Sequence, residues 1–155
     1  MNERVMIAMA LAGNPSFLIA DEPTTGLDTP VKNRIVSLLQ DIGRKRSMLF
    51  ITHDLAAAAR ICDRIAVMYC GEIVECGSTA DLLSGPLHPY TRGLIGSLPQ
   101  RGFSPISGMS PSLINAPPGC RFSPRCDRCH ECCREHHPPL QEISNGRYVR
   151  CLFHD

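Results

Sequence analysis

Apolar positions along this chain fall into runs whose period changes from one segment to the next. Val5, Ile7, Ala8 and Leu11 predict an apolar helix over residues 3–12, stopped by Gly13-Asn14-Pro15. Phe17-Leu18-Ile19-Ala20 is a short unbroken apolar run, the type buried on both faces of a parallel sheet, and it closes in Asp21-Glu22-Pro23. Val31, Ile35, Leu38, Leu39 and Ile42 then recur at helical spacing behind Pro30, a residue suited to a first helical turn. Met48-Leu49-Phe50-Ile51 predicts a second buried strand. The unit is therefore strand, crossover helix, strand, which closes right-handed with its strands parallel.

An Ala-rich helix is predicted at residues 55–61, followed by strands at 64–69 and 72–76 around Cys70-Gly71, a pair that reads as a hairpin. From Pro99 to Pro118 the texture turns to Pro, Gly and Ser, as in a linker or an irregular wrap, and a cysteine cluster follows. The expected fold is thus α/β over residues 1–98, a linker at 99–118, and a small irregular Cys-rich module at 119–155.

Sixteen basic and fifteen acidic residues leave a formal charge of +1, which gives no bulk electrostatic attraction to nucleic acid or anionic lipid. No apolar run approaches the ~18–20 residues that span a bilayer, and the sequence reads as cytosolic. Nine cysteines are many for a reducing compartment, and metal binding reconciles the two.

Candidate chemistry sits where the predicted parallel strands end. Ligands bind outside the carboxyl ends of such strands, because the strands hold loops there rigidly. Asp21, Glu22 and His53 all fall at that edge. An aspartate after four apolar residues suits Mg²⁺ held through water, an adjacent glutamate can polarise a water for attack on a phosphoryl group, and a histidine from the next strand can reach the terminal phosphate. An isolated Asp-Glu-Pro is as often a solvated turn. The longer string FLIADEPTTGLD, with LFITHD some two dozen residues on, resembles the Walker B motif, D-loop and switch histidine of the ABC-transporter ATPases.

That resemblance implies a partial P-loop NTPase sheet in which Asp21 is the Walker B aspartate on Mg²⁺, Glu22 the catalytic base, His53 the switch residue and Asp28 the D-loop aspartate at a dimer interface. Residues 1–10 are similar to the segment that follows the family's LSGG signature. A P-loop needs Gly-Lys-Ser/Thr so that backbone amides and a lysine cradle the phosphates, yet Lys32 and Lys45 follow Val31 and Arg44. Negligible ATPase activity is expected of this stretch alone, whether it is a fragment, a split subunit completed by an N-terminal half, or a degenerate protein.

Cys120, Cys126, Cys129, Cys132, Cys133 and Cys151 crowd the tail, with His130, His136, His137 and His154. Cys62, Cys70 and Cys76 stand singly in apolar elements and read as buried thiols. Disulfides fit a cytosolic chain with an odd cysteine total poorly. The residues alone leave zinc and iron–sulfur open, since two C-x-x-C loops grip a tetrahedral ion and a cluster also needs four thiolates.

HPYTRGL at 88–94, GCRFSPRC at 119–126, Cys133, Pro138-Pro139-Leu140 and Cys151 resemble the C-terminal extension of the dipeptide/oligopeptide and nickel importer ATPases. The resemblance implies a [4Fe–4S] cluster on Cys120, Cys126, Cys133 and Cys151, with Cys132 as the alternative third ligand and Zn²⁺ as the alternative metal. Family members usually lack cysteines at the positions of Cys129 and Cys132. A structural staple is the plain role for such a group and redox regulation the sharper one, with Arg121, Phe122 and Arg125 orienting the loop.

The function implied is a subunit that binds and hydrolyses ATP to drive di- or oligopeptide import, peripheral on the inner face of the membrane. Its implied partners are transmembrane permease subunits and a second ATPase subunit arranged head to tail. A non-catalytic metal-binding or redox-sensing module is the rival.

Overall fold

A computed structural model describes residues 2–98, 101–102 and 104–154. Met1 of the predicted post-signature segment, Pro99, Gln100 and Phe103 of the predicted linker, and Asp155 lie outside the described residues. The chain forms two compact units that divide at Asp63/Arg64, not at the change of texture near residue 99.

In the first unit, α1 (Asn2–Ala12) ends at Asn14, whose left-handed φ of 47° lets its N–H bond the Leu11 carbonyl at 2.9 Å. The strands β1 (Phe17–Asp21) and β2 (Ser47–Ile51) pair in parallel, Asp21 opposite Ile51, and α2 (Thr29–Gly43) is the crossover between them. Ile35, Leu39 and Ile42 of α2 pack on Leu18 and Ala20, and Val36 is buried as well. Leu38, expected on the buried stripe, is turned out and Val36 is turned in.

The strands are not buried on both faces as their apolar runs suggest. Phe17 is 52 % exposed and Ile19 61 %, while their neighbours Leu18 and Ala20 are buried, because α2 covers one side of the sheet and side chains alternate between faces. The short α3 (Leu55–Ile61) follows, begun by the Asp54 side chain, which accepts from the amides of Ala56 and Ala57 at 3.0 and 3.2 Å.

The second unit is built on an antiparallel sheet in the order β3-β4-β6-β5. β3 (Arg64–Tyr69) and β4 (Glu72–Ser78) make the expected hairpin; Cys70 and Gly71 both take positive φ, the primed turn that matches strand twist. β4 also pairs with β6 (Arg147–Val149), and β6 with β5 (Gln141–Ser144). The hairpin and the cysteine-rich tail therefore share one sheet. α4 (Thr79–Ser84) and α5 (Pro89–Gly96) follow β4, a 3₁₀ turn (Ser123–Arg125) lies between Cys120 and Cys126, and α6 (Glu131–Glu135) carries Cys132 and Cys133.

Tyr69, Tyr90 and Phe122 stack at centroid distances of 4.6–5.5 Å at the centre of this core. Residues 104–118 form no helix or strand but are strapped down. Arg125 donates to the carbonyls of Ile106 and Ser107 at 3.0 Å and to Ser110 Oγ at 2.9 Å, and Ile106 lies so close to Gly93 that a side chain there would overlap it. None of Cys62, Cys70 and Cys76 is fully buried, in contrast to expectation: Cys62 follows the last turn of α3, Cys70 sits in the hairpin turn, and Cys76 is half covered although β4 is paired on both sides.

Candidate functional site

Two sites emerge, one in each unit. The first lies at the carboxyl edge of the parallel pair. The register that sets Asp21 opposite Ile51 brings the residues after both strands to the same rim. The amide of Glu22 donates to the Ile51 carbonyl at 2.9 Å, carrying the ladder one residue past β1. Glu22 then takes a left-handed φ of 45°, rare for a residue with a Cβ and costly unless its surroundings hold it.

Three donors do so. Thr25 Oγ1 donates to Glu22 Oε2 at 2.7 Å, and the His53 backbone amide donates to Oε1 at 3.0 Å. The His53 ring meets the same carboxylate through Nδ1 at 2.9–3.0 Å. The Thr25 hydroxyl first, then His53, hold the Glu22 carboxyl below its usual range, so that it is ionised. Asp21 is exposed at the end of β1 and Asp28 is exposed at the N-terminus of α2, where its side chain makes no capping bond. Lys32 of α2 forms an ion pair with Asp54, which ties the crossover helix to the start of α3. The rim thus brings Glu22 and His53 into contact, sets Asp21 beside them in sequence, and leaves Asp28 apart at the end of the Pro23–Leu27 turn.

The second site is a small cavity of about 20 Å³ in the tail. Cys120, Cys126, Cys133 and Cys151 all line it, with His88, Phe122, Ser123, Arg128 and Pro138 among the remaining walls. Cys129 and Cys132 do not line it.

Backbone contacts explain the convergence. The Cys120 amide donates to the Cys133 carbonyl at 2.8 Å, and the two segments lie so close that a Cβ on Gly119 would overlap the Cys133 carbonyl and the backbone of Arg134. The Cys129 amide closes a turn on the Cys126 carbonyl at 3.3 Å. Glu72 of β4 gathers the flanking residues: Arg121 Nε donates at 2.7 Å, His137 Nε2 lies at 3.0 Å and Arg150 Nε at 3.9 Å. Arg121 and Arg150 are direct neighbours of Cys120 and Cys151, so one carboxylate fixes the approach of both.

Burial pushes the thiols of Cys120 and Cys151 up, and Cys126 to about 11, with the negative charge of neighbouring cysteines adding to the rise. Such a set gains from a cation that compensates its thiolates. Among the described residues no group of three or more His, Cys, Asp or Glu side chains is close enough to hold a single metal ion.

Sequence reasoning did not single out Glu72, Glu75 or Thr25. Thr25 sits within the matched string, but the two glutamates carry no local signal, since each acts on residues far along the chain. Among the described residues no helix is long and apolar enough to cross a membrane.

Residues 74–133 match the family described as oligopeptide/dipeptide transporter, C-terminal region. The chain is 44% identical over 162 residues to the oligopeptide transport ATP-binding protein AppD of Bacillus subtilis, covering 100% of this chain and 49% of that protein. It is 41% identical to the dipeptide transport ATP-binding protein DppD of Caldanaerobacter subterraneus, covering 100% of the chain and 50% of that protein. To the oligopeptide transport ATP-binding protein OppD of Bacillus subtilis it is 43% identical, over 97% of the chain and 44% of that protein. The chain spans about half the length of the curated relatives it matches.

Proposed function

Because this chain belongs to the oligopeptide/dipeptide transport ATP-binding family, we propose that it supplies the Mg²⁺-binding, catalytic-base and switch residues of an ABC importer ATPase that drives peptide uptake. The observation that carries this reading is the Glu22–His53 contact at the end of two parallel strands. Glu22 is an ionised carboxylate whose donors come from rigid backbone and a neighbouring hydroxyl, and it can accept a proton from a water aimed at a phosphoryl group. His53 shares that carboxylate and, by turning its ring, can engage a terminal phosphate instead. Asp21, exposed at the strand end, suits Mg²⁺ bound through water. Asp28 is free to face a second subunit.

The phosphates themselves require a Gly-Lys-Ser/Thr loop from another polypeptide segment. Partners are permease subunits and a second ATPase subunit head to tail, and the assembly works at the inner face of the membrane.

For the tail we propose Cys120, Cys126, Cys133 and Cys151 as ligands of a [4Fe–4S] cluster. All four border one cavity, whereas Cys129 and Cys132 do not, which favours Cys133 over Cys132. When bound, the cluster would supply a covalent staple and a one-electron centre. The protein's own part is to hold the four thiols convergent through Gly119, the Cys120–Cys133 backbone bond and Glu72.

The test is ATP-driven uptake of a labelled oligopeptide into vesicles carrying the permease, both ATPase subunits and a supplied phosphate-binding segment. Uptake coupled to ATP hydrolysis supports the reading. ATP turnover absent from a correctly assembled complex rejects it in favour of a non-catalytic module.

A further inference from the structure

The cavity bordered by the four cysteines has a fifth polar wall. His88 is 1 % exposed and is one of the residues lining the same cavity. Two contacts fix that residue from opposite sides. Its backbone N–H donates to Glu75 Oε2 at 2.9 Å, and Glu75, 0 % exposed on β4, also accepts from the Leu87 amide at 2.9 Å and from Arg147 at 3.2 Å. Its ring Nδ1 accepts from the Tyr90 amide at 3.0 Å, capping the first turn of α5.

Accepting a backbone N–H requires a lone pair on Nδ1, so the neutral ring carries its proton on Nε2. The ring's remaining polar group is therefore one N–H donor. A buried donor is costly to leave without an acceptor. The cavity it borders offers four sulfurs and the side chains of Ser123 and Arg128, amid Phe122, Pro89 and Pro138. Arg128 is itself a donor.

We infer that His88 is a positioning residue for the group held by Cys120, Cys126, Cys133 and Cys151, donating a hydrogen bond from Nε2–H to sulfur in that cavity. The inference rests on the four-cysteine reading above. A donor on sulfur draws off negative charge, stabilises the more electron-rich state and so raises the reduction potential of the group. The Nδ1 cap on α5 keeps the tautomer fixed, so that the ring presents Nε2–H as its donor. Glu75 acts one step further out by holding the His88 backbone.

The experiment compares wild type with His88→Asn after anaerobic reconstitution with ferrous iron and sulfide. Asparagine retains an N-cap oxygen for α5 but is too short to replace the imidazole Nε2–H at the cavity. The expected result is a cluster in both proteins, with a lower midpoint potential in H88N, such that the reduced fraction at the wild-type midpoint falls several-fold. Nitrogen-15 imidazole spectra of wild type provide a readout independent of the variant's folding, with the proton expected on Nε2 and that resonance broadened when iron is loaded. Equal potentials in wild type and H88N, or a proton on Nδ1, would overturn the role of His88 and leave only a helix cap. A wild type that takes up no iron and sulfide rejects the four-cysteine reading together with this inference.

Discussion

The Glu22 carboxylate and His53 meet across the ends of two parallel strands, the amide and the ring of His53 both lying within 3.0 Å of carboxylate oxygens. A base must be ionised before it can take a proton, and the Thr25 hydroxyl contributes most to keeping Glu22 so. Thr25→Ala removes that donor while leaving the His53 contacts. The Glu22 pKa, followed by carbon-13 carboxyl shifts, is expected to rise toward the ordinary value of 4.5. An unmoved titration would show that Thr25 does not support the base.

Acid should destabilise the second unit in two stages of the same sign. His88 has a folded pKa of about 4, below its ordinary 6.5, so the unfolded chain binds the extra proton first. Stability is full above 6.5 and falls as the pH drops from there toward 4, by on the order of 3 kcal/mol for such a shift. Glu72 follows. Burial raises its pKa, but donors from Arg121 and His137 together outweigh that and lower it below 4.5, so its contribution is lost as pH falls through the folded value. Urea unfolding midpoints measured from pH 7 to pH 4 should decline steadily, and in His88→Asn the decline between 6.5 and 4 should shrink.

Gly119→Ala is a test of the close approach that joins Cys120 to Cys133. The added methyl overlaps the Cys133 carbonyl and the Arg134 backbone, both of them main chain with no rotamer to retreat into. A cost of about 1–3 kcal/mol is expected from such overpacking. Iron bound per chain after reconstitution should fall along with it, and unchanged iron content would mean that the two ligand segments need not touch.

Much of the rim was legible in the sequence because its elements are local. Apolar runs ending in Asp21-Glu22 and Thr52-His53 set the strands, and strand ends that pair in parallel reach one edge. The one-sided burial of Phe17 and Ile19 was not legible, since an apolar run carries no record of how many layers pack on it. The tail shows the same division. Its cysteines were evident as a cluster, but not that β4 pairs with β6, because Glu75 opposite Val149 is a pairing across some seventy residues. That pairing moves the compact boundary to Asp63/Arg64. Glu72 and Glu75 gave no signal for the same reason, their partners lying at Arg121, His137 and Arg147.

Cys133 and Cys132 are adjacent in α6 yet differ in surroundings, one buried on the cavity and the other away from it. Cys133→Ser should abolish stoichiometric iron and sulfide, whereas Cys132→Ser and Cys129→Ser should retain them. The reverse pattern would transfer the third ligand to Cys132, and full zinc occupancy in a colourless protein would replace the cluster.

The most direct measurement is single-turnover ATP hydrolysis by the assembled importer carrying Glu22→Gln. The amide keeps the size of the carboxylate and loses its basicity. Hydrolysis is expected to slow by ~100-fold or more while Mg-ATP remains bound, and hydrolysis at the wild-type rate would contradict the assignment of Glu22 as the base.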